Sequence, residues 1–85
     1  MSEVTVQFFA SLREALGKDR MTISLDGSLS VSDLVIKIGA QEDAAWQTAL
    51  ESPDILVAVN QTLVERSHKV QPGDEVAFLP PVTGG

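Results

Sequence analysis

Apolar and polar residues alternate in two segments of the chain, residues 4–8 and 21–25, which is the pattern of β-strands with one buried face. Residues 75–79 follow a turn signal and are predicted to form the last strand. A further segment, residues 55–59, is apolar on both faces, which predicts a central strand. The chain then returns in a short strand over residues 62–64, after a tight turn at Asn60 and Gln61.

A helical spacing of apolar residues appears between these strands. The apolar stripe consists of Val31, Leu34, Val35 and Ile38, at positions i, i+3, i+4 and i+7. Ser30, followed three residues later by Asp33, predicts the N-terminal cap of this helix, and we expect Gly39 and Gln41 to close it. Shorter helices are predicted before it, where Phe9 to Leu16 ends at Gly17, and after it, from Ala44 to Leu50.

The order of the elements is therefore strand, strand, helix, short helix, strand, short strand, strand. A helix with one apolar stripe has to lie on one face of a sheet. This predicts an α+β fold of the β-grasp, ubiquitin-like kind, with a mixed sheet of about five strands packed on one main helix plus short helices. We expect a domain over residues 1–79, with the first and last strands parallel at its centre, and an extended tail over residues 80–85.

The tail carries the clearest functional signal in the chain. It reads Pro80, Pro81, Val82, Thr83, Gly84 and Gly85, and no side chain from Val76 onward is charged. The prolines favour a stiff, extended exit, and the glycines let the backbone approach other atoms closely. We interpret the tail as a spacer whose slim tip presents the α-carboxylate of Gly85 as the reactive group, the alternative being a chance pair of glycines.

Composition narrows the kind of chemistry. The 85 residues suffice for one domain, and the absence of cysteine excludes disulfides, thiolate metal sites and cysteine nucleophiles. A net charge of −6 makes nucleic acid and anionic membranes poor partners and favours a basic protein surface. The sequence shows no signal-peptide pattern and no apolar run long enough to span a bilayer, so we expect a cytoplasmic protein.

Other side chains with chemical potential predict no autonomous active site. His68 has no metal-ligand neighbours in the sequence and is expected in a surface loop, and we predict no metal site and no stably bound cofactor. Trp46 is expected to pack a short helix onto the core. Four carboxylates are expected to form a solvated acidic rim: Glu42, Asp43, Glu51 and Asp54.

Two leucines are predicted to bind partner proteins. Val76 and Phe78 occupy the inner face of the last strand, so Leu79 points outward because strand side chains alternate. Leu63 is expected on the same outer face, close to the exit of the tail. Together they suggest an apolar docking patch, although ordinary exposed leucines are the alternative.

The chain resembles the small, sulfur-carrier subunits of molybdopterin synthase along its whole length. The segments that carry the resemblance are Phe8-Phe9-Ala10 with Arg13-Glu14, residues 58–64, residues 73–78 and the tail. Leu79 departs from the family, in which a second phenylalanine is common at this position. The double glycine alone is shared with ubiquitin, the thiamine-pathway sulfur carrier and other ubiquitin-like modifiers.

The resemblance implies a cycle centred on Gly85. An adenylating enzyme related to ubiquitin activators would consume ATP to form an acyl-adenylate, and a persulfide donor would convert it to a thiocarboxylate. The tail would then deliver sulfur to cyclic pyranopterin monophosphate inside the large subunit, within a heterotetramer of two small and two large subunits. A sulfur carrier of another pathway (thiamine or a modified nucleoside) and a ubiquitin-like modifier or interaction module remain open.

Overall fold

The computed structural model describes residues 2–81 of the chain. Its strands are β1 (Glu3–Phe8), β2 (Arg20–Ser24), β3 (Leu29–Ser30), β4 (Leu56–Val59), β5 (Thr62–Val64), β6 (Lys69–Val70) and β7 (Glu75–Leu79). Its helices are α1 (Ala10–Leu16), α2 (Val31–Gln41) and α3 (Ala44–Leu50). Each predicted element is present, within a residue or two of the predicted boundaries.

The main sheet has five strands in the order β2-β1-β7-β4-β5. Strand β1 runs parallel to β7, and the other neighbours are antiparallel. The predicted mixed β-grasp sheet, with its first and last strands parallel at the centre, is therefore confirmed. Strand β4 lies between β7 and β5, so its predicted position inside the sheet is confirmed. Leu56 is 42% exposed because it lies on the face opposite the buried core.

The core lies between the sheet and the helices. Phe8 of β1 stacks on Phe78 of β7 with ring centroids 6.0 Å apart, and it meets Trp46 of α3 edge to face at 5.3 Å. Edge-to-face and offset-stacked pairs are the favoured arrangements of aromatic rings. Trp46 thus packs a short helix onto the core, as predicted.

Helix α2 begins as its sequence predicts. The Ser30 hydroxyl oxygen accepts a hydrogen bond from the Asp33 amide at 3.1 Å, and all four residues of the apolar stripe are fully buried. Gly39 lies inside the helix and does not end it. A methyl group at Gly39 would come within 2.6 Å of Cβ of Gln47, so this glycine allows α2 and α3 to approach closely.

Two connections explain how the chain turns. Gly17 ends α1 with φ 77°, a left-handed conformation that glycine adopts without strain. Asn60 and Gln61 both have positive φ, 50° and 72°, which is the conformation of a two-residue hairpin turn between β4 and β5. Strands β3 and β6 form a separate two-stranded sheet that the sequence analysis did not predict, since two residues are too few to show alternation.

The side chain of Arg66 forms hydrogen bonds at the C-terminal end of α3. Its guanidinium group is half-buried and donates hydrogen bonds to three backbone carbonyl oxygens: Leu50 at 2.7 Å, Ser52 at 3.1 Å and Ile55 at 3.1 Å. One side chain therefore satisfies carbonyl groups at the C-terminus of α3 and in the loop that leads to β4. Within residues 2–81, no helix combines the length and apolar character needed to cross a membrane.

Candidate functional site: the tail exit and the outer sheet face

Strand β7, which is third in the spatial order of the sheet, leads into the tail at the protein surface. Strand β7 is flanked by β1 and β4 and ends at Leu79, after which Pro80 is half-buried and Pro81 is exposed. At this end the amide of Phe9 donates to the carbonyl oxygen of Phe78 at 3.3 Å, which extends the β1–β7 pairing by one more bond. The root of the tail is therefore held by strands on both sides.

The tip of the tail lies outside the described residues. The predictions for Val82, Thr83, Gly84 and Gly85 therefore stay predictions. What the structure describes is the strand that leads to them and the surface beside the exit.

Leu63 and Leu79 both lie on the sheet face that the helices leave uncovered. Leu63 is 64% exposed and Leu79 is half-buried, whereas Val76 and Phe78 are fully buried. The predicted placement of the two leucines away from the core is therefore correct. Whether they bind a partner remains a prediction.

A shallow groove joins the two leucines. It has a volume of about 340 Å³ and is lined by Gln7, Phe9, Ala58, Gln61, Leu63, Glu75, Ala77 and Leu79. Ala58 is the residue opposite both Ala77 of β7 and Leu63 of β5, so the floor is made of small side chains between larger ones. We call this surface the outer groove.

Two apolar residues of this face escaped the sequence analysis. Phe9, which lines the outer groove, and Leu56, which pairs with Leu79, are each 42% exposed. Leu56 lies two residues before Ala58, which lines the outer groove. Residues two apart in a strand share a face, so Leu56 belongs to the outer face as well. Phe9 was assigned to α1, but it precedes the helix in an extended conformation, and Ala10 then takes φ 51° to start the helix.

The outer groove carries little charge. Its one carboxylate, Glu75, accepts a hydrogen bond from the Gln7 side-chain amide at 3.3 Å. An apolar, weakly charged surface beside the root of the tail is suited to a protein partner, because burying it costs little desolvation of charge.

The predicted acidic rim is largely solvent-exposed: Asp43, Glu51 and Asp54 are exposed and Glu42 is half-buried. Glu42 forms an ion pair with Lys18 at 3.1 Å, and Asp43 caps α3 by accepting hydrogen bonds from the amides of Ala45 and Trp46. The side chain of Gln47 donates to Glu51 at 3.0 Å. Three of the four carboxylates therefore have local structural partners, which sequence spacing alone did not reveal.

The remaining titratable side chains of the described residues form no metal-binding cluster. His68 is exposed in the loop before β6, as predicted. Among residues 2–81, no three acidic or histidine side chains come close enough to hold a metal ion. In the same range, every buried side-chain nitrogen or oxygen has a hydrogen-bond partner.

The sequence and the fold were compared with those of known proteins. A family model described as the ThiS family matches residues 6–85. The chain belongs to the ThiS family. It is 48% identical, over 96% of its length and 99% of the relative's, to the molybdopterin synthase sulfur carrier subunit of Escherichia coli (strain K12). The resemblance to the sulfur-carrier subunits of molybdopterin synthase is thereby confirmed.

Solved structures share the fold. The crystal structure of SAMP1 from Haloferax volcanii, a small archaeal modifier protein, superposes with a TM-score of 0.78 at 27% identity, covering 98% of this chain and 99% of that one. A chain from a protein–protein complex of subunits 1 and 2 of the molybdopterin-converting factor of Helicobacter pylori 26695 has a TM-score of 0.59 at 22% identity, with 98% and 99% covered. The second likeness shows the fold alone.

Proposed function

We propose that this chain is the sulfur carrier of a molybdopterin synthase and that the Gly85 carboxylate is the group that carries sulfur. The observation that supports it most is the position of β7, an interior strand that leads directly to the tail beside an open apolar groove. The match of the family model up to residue 85 and the sulfur-carrier relative agree with it.

The chemistry requires activation, because a carboxylate is a poor electrophile. A carboxylate oxygen of Gly85 attacks the α-phosphate of ATP and pyrophosphate leaves, which gives an acyl-adenylate. A persulfide sulfur then attacks the acyl carbon and AMP leaves. Cleavage of the resulting acyl disulfide by a thiol leaves the thiocarboxylate on Gly85. Its nucleophilic sulfur attacks a carbon of cyclic pyranopterin monophosphate and displaces an oxygen substituent there. Water then hydrolyses the resulting thioester, which leaves sulfur on the acceptor and regenerates the Gly85 carboxylate. The chain needs no cysteine for any of these steps.

The ATP is consumed by a partner. We propose that an adenylating enzyme related to ubiquitin activators binds this chain first and that the large subunit of molybdopterin synthase binds it afterwards. The Escherichia coli relative, which is named as a subunit of molybdopterin synthase, supports the second partner. A heterotetramer of two small and two large subunits is the proposed assembly.

Both partners must reach the same tail, so we propose that they use the same surface. Leu63 and Leu79 supply apolar anchors on the outer groove, and Phe9 and Leu56 extend it. Because one groove cannot hold two proteins at once, binding of the adenylating enzyme and of the large subunit is expected to be mutually exclusive. The carrier would then dissociate from one before meeting the other.

Intact-mass analysis tests this function. The chain is incubated with a matching adenylating enzyme, ATP and a persulfide source. The expected product is heavier by the replacement of one oxygen atom with sulfur. Variants that lack Gly85 or carry one added residue after it serve as controls and are expected to remain unmodified. Thiocarboxylate formation at the new end of an extended chain, with normal synthase activity, would contradict the proposal.

A ubiquitin-like modifier is the second candidate, favoured by the structural likeness to a small archaeal modifier protein. It would join Gly85 to a lysine of another protein through an isopeptide bond. A search for such conjugates by mass spectrometry separates the two candidates. A sulfur carrier of another pathway is separated by its acceptor, because it would form the thiocarboxylate without serving molybdopterin synthase.

A further inference from the structure

Strand β5 forms one edge of the main sheet, and its backbone orientation follows from the turn before it. In a hairpin with a two-residue turn, the residues that flank the turn exchange backbone hydrogen bonds, and the next pair does not. Val59 and Thr62 flank the turn here, and Ala58 and Leu63 form the next pair. The N–H and C=O of Leu63 therefore point away from β4, toward the open edge.

Apart from its short length of three residues, the open edge of β5 lacks the features that usually prevent strand pairing. Edge strands are commonly protected by lysine, proline or a bulge. Strand β5 consists of Thr62, Leu63 and Val64, without charge or proline, and its register with β4 is regular. Leu63, at its centre, is also the most exposed large apolar side chain among residues 2–81.

The same strand is complementary to a second copy of itself. If two β5 strands pair in antiparallel fashion about Leu63, each Leu63 lies opposite its copy and Thr62 lies opposite Val64. Leu63 and its copy then exchange two N–H···O=C bonds, and their side chains meet on the outer face. No like charges come into opposition, because in this register Glu65 falls opposite Gln61.

The charge distribution also favours this contact. The chain carries a net charge of −6, but β5 and most of the outer groove are uncharged. Glu42, Asp43 and Glu51 lie on or beside α2 and α3, which cover the opposite face of the sheet. Two copies joined edge to edge would therefore meet at their least charged surface.

We propose that two copies of this chain pair through β5 and form a symmetric dimer with a continuous sheet. The dimer covers Leu63 and the neighbouring rim of the outer groove. This inference rests on the proposed function: the dimer is an inactive storage form of the carrier, and a docking partner has to displace the second copy. Self-association and docking would then compete for the same leucine.

Sedimentation velocity of the purified chain tests the dimer directly. The weight-average sedimentation coefficient is expected to rise toward the dimer value as protein concentration increases from micromolar to millimolar. It should rise further with added salt, because salt screens the repulsion between two copies of charge −6. A sedimentation coefficient that stays at the monomer value up to millimolar concentration would overturn the proposal.

Two variants locate the contact. Leu63→Asp places two carboxylates opposite each other and is expected to lower the association constant by about tenfold or more. Ile36→Asp is the matched control, because Ile36 is 49% exposed on α2, which covers the opposite face of the sheet, and its replacement should leave association unchanged. Loss of association in the Ile36 variant with retention in the Leu63 variant would place the contact on the helices and refute the β5 interface.

Amide NMR of the unmodified chain gives a test that does not depend on mutation. The Leu63 amide is expected to shift with protein concentration and to gain protection from hydrogen exchange, whereas amides of α2 should not. A Leu63 amide that is indifferent to concentration would contradict the pairing. The outcome is separable from the carrier function: a strictly monomeric chain that forms a thiocarboxylate refutes only the dimer, and a dimer that never forms one refutes only the carrier.

Discussion

The two faces of the main sheet are built from the same strands but differ in what covers them. On the inner face, Val6, Phe8 and Phe78 are covered by the helices and have at most 1% of their surface exposed. On the outer face, Leu63 and Leu79 face the solvent or the outer groove. Because strand side chains alternate, neighbouring residues such as Phe78 and Leu79 belong to different faces. Substitutions one position apart should therefore separate folding from binding.

The largest effect is expected at the centre of the inner face. Phe78→Ala removes a fully buried ring and its stacking on Phe8, and it should lower the free energy of unfolding by about 3–5 kcal/mol. Leu79→Ala, one residue later in the same strand, should cost clearly less because this side chain is half-buried. Urea denaturation of both variants measures the difference. Equal losses would show that the two faces contribute alike to stability.

The next effect concerns the attachment of α3, which covers the inner face. Arg66→Lys replaces a planar group that donates to three carbonyl oxygens with a single ammonium group. Hydrogen bonds to charged groups contribute about 1.5–3 kcal/mol, so we expect a loss of about 2 kcal/mol on urea denaturation. Arg20→Lys, at an exposed site on β2, is the control and should be nearly neutral. A neutral Arg66→Lys would show that these bonds do not hold α3.

A smaller loss is expected where α2 meets α3. Gly39→Ala adds a methyl group 2.6 Å from Cβ of Gln47, which is overpacking, although alanine also favours the helix. We expect a net loss of about 1–2 kcal/mol, measured by thermal unfolding. Lys37→Ala, at an exposed site of the same helix, should instead be neutral or slightly stabilising. A stabilised Gly39 variant would mean that the two helices move apart at little cost.

These positions also show how far sequence reasoning reaches. The alternation in β1 and β2 and the stripe of α2 predicted the fold, because burial on one face imposes a period on the sequence. The outward placement of Leu79 followed from the alternation of side chains along a strand. The bonds of Arg66 and the close contact at Gly39 join residues distant in the chain, and no local pattern encodes them. Phe9 and Leu56 were missed for a similar reason, since only the assembled sheet shows which apolar residues stay uncovered.

Charge on the outer face should leave the fold intact and weaken binding. For Leu63→Asp we expect a change in unfolding free energy within about 0.5 kcal/mol, because exposed substitutions are usually that small. Losing one buried leucine from a complex should cost about 1.5–3 kcal/mol of affinity for the large subunit and for the adenylating enzyme. Leu79→Asp should weaken both complexes similarly. Calorimetric titration gives the affinities, with Ile36→Asp as the control.

Two outcomes of that titration would count against the interpretation. Unchanged affinity with an intact fold would remove the outer groove as the shared docking surface. An unfolded Leu63 variant would mean that the side chain supports the core, contrary to its exposure.

Substitutions in the tail are expected to change the free energy of unfolding least, but to slow thiocarboxylate formation strongly. Gly84→Val adds a β-branched side chain that restricts the backbone next to the reactive carboxylate. The unfolding free energy should not change beyond about 0.5 kcal/mol, because residue 84 follows the last strand by several positions. Thiocarboxylate formation, followed by intact mass, should be strongly slowed. Thr83→Val is the matched control, since valine is nearly isosteric with threonine and leaves both glycines in place. Normal turnover of the Gly84 variant would show that the partners do not require a narrow tip, and the tail would then act mainly as a tether.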